Sequence, residues 1–380
     1  MNYEAIFSDE TEDYRTPAEP EENSIVTLRV RTARDDARQV WMATNGGEQE
    51  LTKTRSEGAF DYYETQFRVG TEPVSYWFCI SDDYEFIEYN RLGVNSDKAE
   101  AFLFRIDPGR RTPDWAKGAV MYQIYIDRFR DGDPSNNVRD GEYRYLNRDV
   151  EAVQWDSMPE TMDVHRFYGG DLQGVREKLP YLQELGVEVL YLNPIFVSPS
   201  NHKYDGQDYD AVDPHLAVIV KDGDYRTRVT DPANLEASNA YFASFVEEVH
   251  RRGMRVIVDG VFNHCGSFHK WMNRERLYRR EEGYEPGAYE LEDSPYRNYF
   301  RFSSQHWPDN GSYEGWWGHE TLPKLNYEDS RELWEDALRI GRKWVSAPYG
   351  VDGWRLDVAA DLGHSLETNH EFWRQFREEV

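Results

Sequence analysis

The sequence has two cysteines, Cys79 and Cys265, in 380 residues, too few for a disulfide framework or a zinc cluster. Lysine is also scarce. It supplies 9 of the 44 Lys and Arg residues, which face 71 Asp and Glu and leave a formal charge of −27. That charge repels phosphate backbones and anionic lipid, so neither a nucleic-acid partner nor a membrane surface is expected. No apolar run approaches the ~20 residues of a membrane span. Met1 to Tyr14 is acidic and lacks the basic and apolar regions of a secretory signal. Together these absences predict a soluble, cytoplasmic protein. Acid excess with little lysine further suggests a surface adapted to high salt, where screening quenches self-repulsion, with a merely acidic mesophilic protein from a GC-rich genome as the ordinary alternative.

Aromatic residues are abundant, with 12 Trp and 26 Tyr, so the chain can bury a substantial core. Residues 1–23 are mostly Asp, Glu, Thr and Pro and read as a disordered acidic arm. Residues 24–106 carry short alternating runs, such as Ile25 to Val30 and Val74 to Ile80, separated by turn signals such as Asn45-Gly46-Gly47. This pattern predicts a β-sandwich module. Residues 107–118, with Pro108 and Pro113 among arginines, read as a linker.

Residues 119–380 alternate strand and helix. Strands are expected over 119–126, 187–192, 255–258 and 351–356. Helical spacing of apolar residues marks 174–185, 241–252, 333–345 and 369–380. Pro180 weakens the first of these helices. Successive β-α units predict a parallel sheet, here the first half of a (β/α)8 barrel. The aromatic, irregular stretch 265–322 reads as a small subdomain inserted after the third strand.

Polar residues at strand ends carry the chemistry, because barrel active sites form at the C-terminal ends of parallel strands. Such ends occur at Asp127-Arg128, Asn193-Pro194, Asp259 to His264, and Arg355-Leu356-Asp357. An Arg two residues before an Asp projects to the same face and can hold that carboxylate ionised and oriented, as a nucleophile requires. A single pair of this kind is more often a structural ion pair; several in one chain point to a site. A second cluster, Asp131 to Asn137, offers Asp131, Asp133, Asn136 and Asn137 in seven residues, with Gly169 and Asp171 following downstream. Hard oxygen donors without Cys or His suit Ca2+, although an Asx-rich turn without metal has the same composition.

These blocks resemble glycoside hydrolase family 13, the α-amylase family, and most closely its neopullulanase, cyclomaltodextrinase and maltogenic amylase subgroup. Asp259-Gly260-Val261-Phe262-Asn263-His264 resembles the family's first conserved region, and Gly353 to Ala359 resembles the second. Gly186 to Ile195 and Leu322-Pro323-Lys324-Leu325-Asn326 resemble two further blocks. The likeness extends over 24–106 to a carbohydrate-binding β-sandwich module. It implies that Asp357 is the nucleophile of a retaining mechanism and that Arg355 orients it. It further implies that His264 bonds sugar hydroxyls, that Tyr204 stacks on the same sugar, and that Asp259 and Asp208 support them. Trp316 and Trp317 become candidate sugar platforms, with core packing as the ordinary alternative. The Asp131 cluster resembles the subgroup's Ca2+ site, with Asp131 and Asn137 exchanged relative to the usual Asn and Asp.

The implied partners are α-glucan oligosaccharides (maltodextrins, cyclodextrins or pullulan), cleaved at α-1,4 bonds, with α-1,6 bonds left open. The resemblance also suggests a homodimer through the N-terminal module. Retention needs a second carboxylate, which the family places about thirty residues beyond the nucleophile, near position 386 and so past Val380. The 380 residues alone are therefore expected to turn over little. A glucan-binding fragment or half of a split enzyme is the competing reading; a transglycosylase or α-glucosidase is another within the family.

Overall fold

The computed structural model describes residues 1–303 and 312–380. The chain divides into two compact units, Met1–Lys117 and Gly118–Val380.

The first unit is the expected sandwich. One sheet orders Arg15–Thr16, Ile25–Ala33, Phe60–Arg68 and Thr52–Glu57. The other runs from Gly47–Glu50 through Gln39–Thr44 and Val74–Ser81 to Phe86–Asn90 and Gly93–Val94. Alternation does the work in Ile25–Ala33, where Val26, Leu28 and Val30 are fully buried and their neighbours are not.

The arm expected to be disordered is ordered. Ile6 enters the sandwich core, Phe7 bridges to Arg31, and Arg15–Thr16 pairs antiparallel with Leu28 and Thr27. The acidic composition hid three docking groups, Ile6, Phe7 and Tyr14, the last two packed edge to face at 5.1 Å. The expected linker also stays with this unit, since Glu19 accepts from Thr112 N at 3.0 Å and pairs with Lys117.

In the second unit, β1 (Met121–Ile124), β2 (Val189–Leu192), β3 (Arg255–Gly260) and β4 (Gly353–Leu356) form one parallel sheet in that order. Among its helices are α1 (Leu172–Glu184), α2 (Tyr225–Thr230), α3 (Pro232–Arg251), α4 (Arg331–Val345) and α5 (Leu366–Glu379). Every residue of β2 is buried, as in a parallel sheet covered on both faces. Several helices start earlier than apolar spacing predicts, because polar residues outside the apolar pattern cap them. Asp231 accepts from Ala233 N, Ser330 from Leu333 N and Ser365 from Thr368 N. Pro180 sits inside α1, which Val175, Leu179 and Leu182 anchor in the core.

The described residues of the insertion after β3 form turns, isolated bridges and the short 3-10 helices Arg280–Glu282, Arg297–Tyr299 and Trp316–Gly318, and 304–311 of that stretch lie outside the described residues. Trp271, Tyr299 and Phe300 join the main core of the unit, so the insertion shares that core.

Candidate active site

The β3–β4 register sets Asp259 directly beside Arg355. Asp357 follows two residues later, and its backbone N–H donates to Gly260 O at 2.9 Å. Arg355 Nη1 donates to Asp357 Oδ1 at 2.6 Å and also reaches Asp259 Oδ1 and Oδ2 at 3.2 and 3.1 Å. Asp259 is fully buried, and burial raises its pKa above the ordinary carboxylate value, opposed by Tyr191 and Arg355. Two hydroxyls satisfy the same oxygen of Asp259. Tyr191 OH donates to Oδ2 at 2.5 Å and Tyr204 OH at 3.0 Å.

His264 is buried at the C-terminal end of β3. Burial drives its pKa down to about 4, against the opposing pull of Asp357 and Asp205, so its ring is neutral. Asn263 Nδ2 lies 3.3 Å from Nδ1. Trp316 stacks flat on this imidazole, with centroids 4.9 Å apart and planes 7° from parallel. Its indole N–H donates to Asp361 Oδ2 at 2.9 Å. Trp317 packs on Trp316 at 5.4 Å and stands 81% exposed with φ of +52°. Both indoles line a cleft of about 450 Å3 with Lys324, Asp361 and His364.

Asp357, Arg355, Asp259, Tyr204, His264 and Trp316 are thus brought together through direct contacts or through a shared neighbour. Asp208 is engaged elsewhere. It opens the hairpin strand Asp208–Val212, pairs with Val197 and gives its carboxylate to Lys270 Nζ at 2.6 Å. The reason is the hairpin, formed with Phe196–Val197, which sequence periodicity did not reveal.

The Asx-rich turn lies at the N-terminus of α1. Asp171 caps the helix through Gly174 N at 2.6 Å and also accepts from Gly132 N, Asp133 N and Asn136 Nδ2. Asp133 Oδ1 closes a turn on Ser135. Asn137 Nδ2 donates to Asp131 Oδ2 at 3.0 Å. Three buried oxygens of this turn find no hydrogen-bond partner among the described residues: Asp131 Oδ1, Asn136 Oδ1 and Asn137 Oδ1. Gly169, with φ of +80°, lies so close to Asn137 that a Cβ there would strike its amide. Among the described residues no three His, Cys, Asp or Glu side chains converge as a metal set. Unpaired carboxylate and amide oxygens are the donors a hard cation takes, so the turn fits Ca2+ through Asp131, Asn136 and Asn137 better than through Asp133 and Asp171.

Two features escaped sequence reasoning. Tyr191 sits in an apolar strand that reads as core. His364 bridges Glu328 and Glu314, each at 2.8 Å, through residues far apart in sequence.

A parallel sheet with a carboxylate, guanidinium and aromatic cluster at the C-terminal ends of its strands, following an Ig-like module in the chain, is the arrangement of α-amylase-type proteins. The chain belongs to the α-amylase family. Residues 123–218 and 237–380 match the model of the α-amylase catalytic domain, and 1–106 that of the α-amylase N-terminal Ig-like domain. The chain is 36% identical over 338 residues to neopullulanase 2 of Thermoactinomyces vulgaris, covering 86% of this chain and 48% of that protein. It is 31% identical to an intracellular maltogenic amylase of Bacillus subtilis, covering 100% of this chain and 58% of that protein. Among solved structures it resembles the type III pullulan hydrolase of Thermococcus kodakarensis, with a TM-score of 0.61 and 26% identity over 98% of this chain and 59% of that one. The chain therefore spans about half the length of the curated relatives it matches most fully. Among the described residues no helix is long and apolar enough to cross a membrane.

Proposed function

We propose that the protein containing this chain hydrolyses α-1,4-glucosidic bonds, and α-1,6 bonds as a secondary activity, with retention of configuration. The observation that carries this reading is the short Arg355–Asp357 bond, 2.6 Å long, beside a buried Asp259 to which Tyr204 OH donates. It supplies a carboxylate that Arg355 orients just beyond the C-terminal end of β4.

In the first step Asp357 Oδ attacks the anomeric carbon, forming an ester as the glycosidic C–O bond breaks. The departing oxygen takes a proton from a separate acid. Water then cleaves the ester. Neutral His264 offers a ring N–H to a hydroxyl of the reacting sugar, Tyr204 offers its ring to the sugar's C–H face, and Trp317 offers a second, exposed platform in the neighbouring cleft. The names of the relatives, neopullulanase, maltogenic amylase and cyclomaltodextrinase, favour maltodextrins, cyclodextrins and pullulan as substrates. Asp131, Asn136 and Asn137, with the Gly169 carbonyl, would hold a Ca2+ ion, which would supply the positive charge that their unpartnered oxygens lack.

The test is hydrolysis of pullulan, γ-cyclodextrin and maltoheptaose by the complete protein, with the product anomer read by proton NMR before mutarotation. α-Anomer from wild type and loss of at least ~10^4-fold in Asp357→Asn would support the reading. A β-anomer, or an active D357N, would overturn it.

A further inference from the structure

Arg355 meets three carboxylate oxygens with one nitrogen. Nη1 carries two hydrogens, yet it lies within 3.2 Å of Asp357 Oδ1, Asp259 Oδ1 and Asp259 Oδ2. Two anions therefore compete for one guanidinium edge, and Asp357 holds the shorter contact. The competitor is the more buried of the two. Asp259 is fully buried, so its charge must be met by protein donors rather than water. Whatever satisfies Asp259 by other means releases Arg355 to Asp357.

Two groups do so, both at Asp259 Oδ2, and the closer is Tyr191 OH at 2.5 Å against 3.0 Å for Tyr204. A distance of 2.5 Å lies at the short end for a hydroxyl donating to a carboxylate. Tyr191 also faces the other side of the competition, because the Arg355 guanidinium carbon stands 6.0 Å from its ring centroid. The strand register fixes these relations. Tyr191 pairs with Ile257 on β3, two residues before Asp259, and Asp259 pairs with Arg355 on β4. A hydroxyl on β2 thereby acts across β3 on a guanidinium of β4.

We propose that Tyr191 is a positioning residue for the nucleophile: by donating to Asp259 it sets how Arg355 is shared, and so holds Asp357 in its attacking orientation. This rests on the reading of Asp357 as the nucleophile. Tyr191 touches neither sugar nor ester in this scheme; it acts through Asp259 and Arg355. Without its hydroxyl, Asp259 draws Arg355 towards itself and Asp357 loses its short contact. The consequence falls on the chemical step rather than on substrate binding.

The variant is Tyr191→Phe in the complete protein, which keeps the ring and removes only the oxygen, with Tyr191→Met as a second variant should the first fail to fold. With maltoheptaose, kcat is expected to fall roughly 10-fold to 100-fold, the scale for misplacing a reacting group by a fraction of an ångström, with KM within about twofold. The acid limb of the kcat/KM profile should move to higher pH, because a carboxylate pair that has lost a donor protonates more readily. Tyr204→Phe removes the longer bond and should move the limb less. A merely structural tyrosine would lower the melting temperature or the active fraction and leave the limb in place. A Y191F profile superimposable on wild type, or a change in KM alone, would overturn the proposal. Wild-type protein that cleaves no α-glucan would instead sink the functional reading on which it rests.

Discussion

His264→Gln removes one titration from the buried end of β3 and leaves a polar side chain there. In the fold, burial holds the His264 imidazole at a pKa of about 4, against an ordinary value of 6.5. A histidine lowered in this way favours folding in its neutral form. Its contribution is complete above pH 6.5 and is lost as pH falls from 6.5 towards 4. At ~1.36 kcal/mol per pH unit the window is worth about 3 kcal/mol. Wild-type stability alone will not display it, because Asp127 opposes it. Burial raises the Asp127 carboxyl from 3.8 to about 6, so that group gains stability over nearly the same window, about 3 kcal/mol in the other direction. The informative quantity is therefore the difference between wild type and H264Q. Urea unfolding followed by tryptophan fluorescence at pH 7.0, 5.5 and 4.5 should show wild type losing about 2–3 kcal/mol relative to the variant on acidification. Parallel stability curves, within ~0.5 kcal/mol, would refute the reasoning. So would an imidazole titration midpoint at or above 6.5.

Three further outcomes are expected. Lys203→Met leaves the fully buried Asp213 with only His215 as a charged partner, since Lys203 Nζ now stands 2.6 Å from it; breaking such a pair costs about 3–5 kcal/mol, and a loss below ~1 kcal/mol in urea unfolding would argue against it. Chelation should lower the melting temperature of wild type, with Ca2+ restoring it, whereas Asn137→Leu should melt at the chelated value with or without Ca2+; equal melting of wild type in both conditions would remove the metal from the proposal. Trp317→Ala should leave stability within ~0.5 kcal/mol, since the ring is 81% exposed, while raising KM for maltoheptaose several-fold; an unchanged KM would make the ring an ordinary surface residue.

What the sequence revealed follows the range of the interactions involved. Arg355 and Asp357 are two residues apart on one face, and Asp259 closes an apolar strand, so local spacing carried both. The pairing of Asp259 with Arg355 is a matter of register between strands almost a hundred residues apart, and only the fold supplies it. Tyr191 was hidden for the opposite reason, because a tyrosine in an apolar run has the same local signature whether its hydroxyl meets water or a carboxylate. Asp208 was misplaced because a two-residue strand, Phe196–Val197, is too short to show a period, yet its pairing turns Asp208 towards Lys270. The N-terminal arm failed by composition: 23 residues rich in acid conceal the burial of Ile6 in the sandwich core and the bridge of Phe7 to Arg31.

The charge balance permits one more argued prediction. A formal −27 is a self-repulsion distributed over the surface, whereas ion pairs such as Arg331–Glu335 and Arg144–Asp149 are exposed on both sides and are worth ~0–1 kcal/mol each. Salt screens both kinds of interaction. The Debye length falls from ~10 Å at 0.1 M to ~3 Å at 1 M, which removes repulsion between charges many residues apart but only weakens contacts about 3 Å long. The repulsive sum should therefore decline faster than the attractive one, and KCl should raise the melting temperature steadily up to about 2 M. KCl is the appropriate salt because sulfate strengthens apolar burial in any protein. A melting temperature that falls between about 0.1 and 1 M KCl would mean that exposed ion pairs, rather than net charge, dominate the surface electrostatics. The acidic composition would then carry no adaptation to salt.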